Sequence, residues 1–240
     1  MCCQKETFWK FTTSKGSLSI CQLIINNVQD KNPKRDGGVT PLHEAAENGH
    51  LSVCKFIIGK VFNKNPKDAI YGDTPFHLAA KNGFLQICQL LIDNVNDKNP
   101  ANKSGRTPLH EAAKNGHFEV CKLLIEYVDD KNPECNDYQS TPLHAAADNG
   151  HFEIFKLISE SIGYKNPLDD YGWTPFHLAA FEGHFAICKF IVENYEDKNP
   201  KDADDKTPLD IAIAQEHKNI IKLLKPFEVT LNPSKRRHVL

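Results

Sequence analysis

The chain has 240 residues but only one methionine and two tryptophans, and no long hydrophobic run. Nothing in it approaches the roughly 18 consecutive apolar residues that cross a bilayer, so no membrane span is expected. Met1-Cys2-Cys3-Gln4-Lys5-Glu6 lacks the apolar run of a secretory leader, which points to a cytoplasmic protein. Charge of one sign is also lacking. The 29 Lys and Arg against 31 Asp and Glu leave a net −2, which gives no reason to expect a nucleic-acid partner. A phosphate loop, paired carboxylates and a Ser/His/Asp or Cys/His grouping outside the repeat pattern are missing too, so no catalysis and no cofactor are expected. With 40% apolar and 25% charged residues, the composition is otherwise ordinary for a globular protein.

What the chain does have is a repeat. Thr-Pro-Leu/Phe-His stands at Thr40–His43, Thr74–His77, Thr107–His110, Thr141–His144 and Thr174–His177, and Thr207-Pro208-Leu209-Asp210 is a sixth copy without its histidine. The threonines are 34, 33, 34, 33 and 33 residues apart. A fixed period near 33 marks a stacked array rather than a globular domain. Each Thr is placed to cap a helix N-terminus, and the Pro after it suits the first helical position. Leu/Phe and Ala-Ala follow at helical spacing, and the helix is expected to stop at Gly49, Gly83, Gly116, Gly150 or Gly183, where positive φ is tolerated. A second helix follows, for example Phe118 to Tyr127 with its apolar stripe at Val120, Leu123, Leu124 and Tyr127. A Lys-Asn-Pro stop ends it, and each such Pro (Pro33, Pro66, Pro100, Pro133, Pro167, Pro200) lies 17 residues after its repeat's Gly. All variation in length therefore falls between that Pro and the next Thr.

Gly38–His50, Gly105–His117 and Gly172–His184 meet the pattern Gly-x-Thr-Pro-Leu-His-x-Ala-Ala-x-x-Gly-His almost fully. On these motifs the chain resembles an ankyrin-repeat protein. The resemblance implies an all-α solenoid of stacked helix-turn-helix units with β-turn finger loops. The units start near residues 7, 40, 74, 107, 141, 174 and 207. The array spans 1–225, with a basic tail over 226–240. The first unit places Thr7-Phe8-Trp9-Lys10 on the tetrapeptide. The resemblance also implies a non-catalytic, monomeric protein-interaction module, or alternatively the substrate-recognition arm of a larger assembly such as a ubiquitin-ligase adaptor or a bacterial or viral effector. Lys235-Arg236-Arg237 allows a nuclear location beside the cytoplasmic one. One departure is systematic: the position that usually holds Gly at the end of the second helix holds Val28, Val61, Val95, Val128, Ile162 and Tyr195. Such side chains avoid the left-handed cap, so the second helix is expected to run on by half a turn and bury them.

Cys21, Cys54, Cys88, Cys121 and Cys188 share one repeat position with Phe155, which makes it a core site for reduced thiols. Cys135 lies in a finger and is expected to be exposed. Cys2 and Cys3 carry too little signal for an acylation site. Nine histidines fill two repeat positions and, as in the family, those of the motif are expected to bond between neighbouring units. Asn32, Asn65, Asn99, Asn132, Asn166 and Asn199 of the Lys-Asn-Pro stops read as helix terminators.

Function is then expected on the variable surface. In ankyrin proteins partners contact finger tips and exposed residues of the first helix, here positions such as Lys114, Asp148, Asn149 and Asp204. Tyr71, Tyr138, Tyr171, Trp173 and Phe181 are aromatics that no packing rule requires there. In the first three fingers Lys34, Arg35, Lys67, Lys103 and Arg106 against Asp36, Asp68 and Asp73 leave +2. In the last three, Glu134, Asp137, Asp169, Asp170, Asp202, Asp204 and Asp205 against Lys201 and Lys206 leave −5. The expected binding residues are Tyr138, Asp137, Asp170, Tyr171, Trp173 and Phe181, with Tyr71, Arg35 and Arg106 further along. The expected partner is a protein with a basic, partly apolar surface. The unit at Thr141, with Gln139 for the loop Gly, Phe155 in the core slot and Gly163 late in its second helix, is expected to be a weak joint.

Overall fold

The computed structural model describes residues 13, 15–163 and 165–227. Thr7–Lys10, Cys2, Cys3 and the run Lys235–Arg237 lie outside the described residues. After α1 (Leu18–Asn27) come six helix pairs: α2 (Pro41–Glu47) with α3 (Leu51–Ile58), α4 (Pro75–Lys81) with α5 (Leu85–Asn94), and α6 (Pro108–Lys114) with α7 (Phe118–Tyr127). Then follow α8 (Pro142–Asp148) with α9 (Phe152–Ser161), α10 (Pro175–Glu182) with α11 (Phe185–Asn194), and α12 (Pro208–Ala214) with α13 (Lys218–Leu224). First helices pack on first helices, second on second, and each on its own pair. The described residues form an all-α solenoid, and none of their helices is long and apolar enough to cross a membrane.

The first helix starts where the sequence places it. In five units the motif His turns its Nδ1 to accept the Thr backbone N–H at 3.0–3.2 Å, closing a reciprocal cap. Its Nε2 then carries the hydrogen and donates to the next finger: His43 to the Asp73 carbonyl at 3.0 Å, His77 to Arg106 at 2.9 Å, His110 to Ser140 at 3.2 Å. Fixed partners at both nitrogens set the neutral tautomer. Asp210 keeps only the first function, accepting from Thr207 N at 2.9 Å and Thr207 Oγ at 2.7 Å.

The helix stops at Gly as expected, with φ from 69° to 82° at Gly49, Gly83, Gly116, Gly150 and Gly183. Space matters as well as φ. A Cβ on Gly83 would lie 2.5 Å from Nδ1 of His117, whose Nε2 donates back to the Lys81 carbonyl at 2.9 Å. His151, His184 and His217 repeat this bond to Lys114, Asp148 and Phe181. His217 belongs to this second position although Glu216 replaces its Gly; the spacing of seven from Asp210 was the available signal.

Three expectations need correction. The second helix does not run on: Val28, Val95, Val128, Ile162 and Tyr195 are extended, with ψ from 139° to 153°. Val128 and Tyr195 are still buried. After α1 and α5 a lysine satisfies carbonyls at the helix end instead. Lys31 donates to Ile25 and Val28, and Lys98 to Ile92 and Val95, so a left-handed Gly cap is unnecessary. The Asn of the stop does not terminate a helix either. Asn32, Asn65 and Asn132 accept the N–H of Leu42, Phe76 and Leu143 at 2.9–3.1 Å, so they serve the start of the following first helix. The third correction is Cys135, which is buried, its Sγ donating to the Asp137 carbonyl at 2.9 Å.

The core is one continuous cluster. Cys21, Cys54, Cys88, Cys121 and Cys188 are wholly buried in it, and burial pushes Cys54, Cys88 and Cys188 up to about 12. Phe155 fills the same slot, meeting Phe190 at 6.1 Å and Tyr195 at 6.4 Å between ring centroids. The Tyr195 hydroxyl reaches buried Ser159 at 2.9 Å. Phe155, Phe190 and Tyr195 thus pack on one another where α9 meets α11.

Candidate functional site

Each finger is closed by one backbone pair, Asn102 N to the Arg106 carbonyl and Asp169 N to Trp173, both at 2.9 Å. The residue two after the stop Pro organises the turn. Asp169 accepts the N–H of Tyr171 at 2.9 Å and of Trp173 at 2.8 Å, and Asp202 those of Asp204 and Lys206. In the fourth finger Cys135 holds this place, and its ring is one residue longer, Cys135 N bonding Ser140. Successive fingers are tied together, Asn136 N to Ser104 O at 2.7 Å, Asp170 N to Tyr138 O at 3.0 Å and Ala203 N to Tyr171 O at 3.2 Å. The finger row therefore behaves as one sheet-like edge.

On that edge the aromatic residues converge. Tyr138 and Tyr171 stack with centroids 5.5 Å apart and planes 25° apart. Trp173 lies 5.5 Å from Phe181 and 6.2 Å from His177 on α10. Together with α8 they bound an open groove of about 660 Å³. Its floor and walls are Tyr138, Tyr171, Trp173, Ala145 and Leu178. Asp148, Asp169, Asp170, Asp202 and Asp204 line it, while Arg106 and Lys114 stand in the same lining. The acidic excess makes the groove attractive to cations.

The titrating groups of the wall are structural. His144 accepts Thr141 N–H at Nδ1 and faces the Trp173 carbonyl from Nε2 at 3.1 Å, so neither nitrogen is free for proton transfer. Burial lowers it to about 4, against the opposing pull of the Trp173 carbonyl. Burial likewise raises Asp169, while its turn N–H bonds oppose the shift. Among the described residues no cluster of three or more His, Cys, Asp or Glu is placed to hold a metal ion.

Of the sequence-predicted residues, Tyr138, Asp170, Tyr171, Trp173 and Arg106 line this groove, and Phe181 abuts Trp173. Asp137 is exposed at the tip of the fourth finger, outside the lining. Tyr71 is exposed on the second finger, with Lys103 bonding its carbonyl, and is not part of the groove. Arg35 sits in the first finger, paired with Glu44, and Arg106 is paired with Glu111 at 2.7 Å. These two positive charges are thus partly neutralised by the helix that follows each of them. Asp202, Leu178 and Ala145 were not singled out from sequence. For Asp202 a signal existed, since Asp or Asn recurs two residues after the stop Pro.

Comparison with curated proteins finds no similar sequence. A family model described as ankyrin repeats in three copies matches overlapping stretches at residues 9–102, 52–137, 76–170, 127–202 and 162–235. Those stretches run across the paired helices, the His caps and the finger row, and the chain therefore belongs to the ankyrin-repeat family.

Proposed function

We propose that the array is a non-catalytic binding module that seats a basic, partly apolar segment of a partner protein in the groove from Tyr138 to Phe181. Ankyrin repeats are generally protein–protein interaction modules. The observation that carries the finer reading is the juxtaposition of the Tyr138–Tyr171 stack and Trp173 with five aspartates in one 660 Å³ groove. Aromatic anchors supply most of the energy of such a contact, and the charged rim mainly steers association. The carboxylates receive Lys or Arg, while the ring faces take the apolar stems. The buried thiols of Cys54, Cys88, Cys121, Cys135 and Cys188 suit a reducing compartment and a cytoplasmic setting.

The test is selection of random displayed peptides on the full chain, followed by titration of the winners. The winners are expected to combine Lys or Arg with an aromatic or aliphatic residue, and to weaken as salt rises. Trp173→Ala is expected to cost about 2 kcal/mol, close to 30-fold in Kd, with the melting temperature nearly unchanged. Acidic winners, or binding indifferent to Trp173→Ala, refute the reading.

A further inference from the structure

The linker between α3 and the second finger differs from every other linker. One residue after the extended apolar position, the chain has Gln29, Asn96, Asp129, Gly163 and Glu196 in other units but Phe62 here. Phe62 is fully exposed, 104% by relative area, so no packing within the chain accounts for it. The helix before it is also short. α3 has eight residues where α5, α7, α9 and α11 have ten, and it stops at Gly59, a poor helix former.

Phe62 forms the ridge between two depressions that share Val61, Phe62 and Asn63, one of about 710 Å³ and one of about 280 Å³. Neither shares a residue with the aromatic groove. The ionisable residues lining the pair are Lys31, Lys34, Lys60, Lys64 and Lys67 against Asp30 and Asp97, a surplus of three positive charges. Lys64 and Lys67 both line the larger depression, Lys64 donating to Asn94 Oδ1 at 3.2 Å and Lys67 to the Ala101 carbonyl at 2.5 Å. Lys34 and Lys60 are exposed beside the smaller one.

We propose that this linker edge is a second docking surface, and that its occupant is an acidic, partly apolar segment of a partner protein. An extended segment laid across the ridge places apolar side chains against both faces of the Phe62 ring. Its carboxylates then meet the lysines. Charge complementarity selects the sign of the partner. The concave shape on either side of one ring favours a peptide over an anionic membrane, because a flat bilayer surface reaches the ring but leaves both depressions unfilled. The surface is independent of the acidic groove, which attracts the opposite charge.

The test is a second peptide selection on the full chain carrying Trp173→Ala, so that the aromatic groove is disabled. Expected winners hold two or more Asp or Glu with Leu, Ile or Phe. Their Kd should rise at least 10-fold in Phe62→Ser and at least 5-fold in Lys60→Ala/Lys64→Ala, and change less than 2-fold from the Trp173→Ala parent when Trp173 is restored. Phe62 and Lys60 are exposed and Lys64 is half-buried, and far-ultraviolet circular dichroism checks that both variants keep the helical fold. Winners without acidic residues, or winners that bind Phe62→Ser unchanged, overturn the proposal. So does Phe62-dependent sedimentation with phosphatidylserine vesicles in the absence of any Phe62-dependent peptide, which would make the occupant a membrane. Concentration-dependent self-association lost in both Phe62→Ser and Trp173→Ala would overturn it in favour of a second copy of the chain.

Discussion

The fourth finger holds two consecutive non-glycine residues in the left-handed region, Tyr138 at φ 61° and Gln139 at φ 49°. Two residues before the motif Thr, where Gln139 stands, other fingers have Gly72, Gly105 and Gly172 at φ 73°–74°. A side-chain-bearing residue there costs roughly 1–2 kcal/mol. Glycine removes that strain but adds unfolded-state freedom worth roughly 0.5–1 kcal/mol. Gln139 is exposed, so its side chain contributes little packing. Gln139→Gly is therefore expected to stabilise the protein by about 0.5–1 kcal/mol. In an array whose units contact only their neighbours, the gain is local. Amides of α8 and α9 should exchange about 2–5-fold more slowly, from 1.4 kcal/mol per decade, while those of α2 and α3 stay unchanged. Native-state hydrogen exchange read by mass spectrometry, with a urea titration beside it, measures both. The reverse change supplies the control. A Cβ on Gly105 would lie 2.7 Å from the backbone N of Asn136, so Gly105→Gln is expected to destabilise by at least about 1 kcal/mol. A destabilised Gln139→Gly, or a neutral Gly105→Gln, refutes the reasoning.

Acid should weaken the array well before carboxylates protonate. Burial is the largest cause lowering all five motif histidines, His110 to about 3 and His144 to about 4. A histidine that is neutral when folded takes up a proton on unfolding, so stability is full above about pH 6.5 and is lost as pH falls towards the folded values. The loss approaches about 1.4 kcal/mol per pH unit per histidine, and a urea midpoint that stays level between pH 7.5 and 5 contradicts the account. Gly116→Ala puts a Cβ 2.7 Å from His151 Cε1 at φ 78° and should cost at least about 1 kcal/mol in a urea titration; a neutral result removes the close-approach argument. Unfolding midpoints with and without reductant should coincide, since Cys54, Cys88, Cys121, Cys135 and Cys188 are free and buried; a marked fall on reduction shows a disulfide.

The sequence by itself determined the repeating unit. A Thr cap, a first-turn Pro, an Ala-Ala pair, a Gly stop and an apolar stripe act within a few residues of one another, and so the helices and the finger lengths were legible. The position shared by Cys and Phe155 told of burial for the same reason, since a helical period fixes which face a residue takes. Local reasoning failed where a residue's partner lies in the next unit or beyond a loop. The stop Asn pairs ten or eleven residues on, with the first turn of the following helix, and Lys31 reaches back to cap α1 where no Gly is present. Cys135 looked exposed because fingers usually are, but it occupies the turn-organising place that Asp68, Asn102, Asp169 and Asp202 fill in four of the other five fingers. Arg35 and Arg106 read as free charges until Glu44 and Glu111 were found beside them. The groove itself belongs wholly to the tertiary structure: bonds such as His144 to Trp173, 29 residues apart, set one finger against the next. Stacking is what turns aromatics a full repeat apart, Tyr138 and Tyr171, into neighbours 5.5 Å apart.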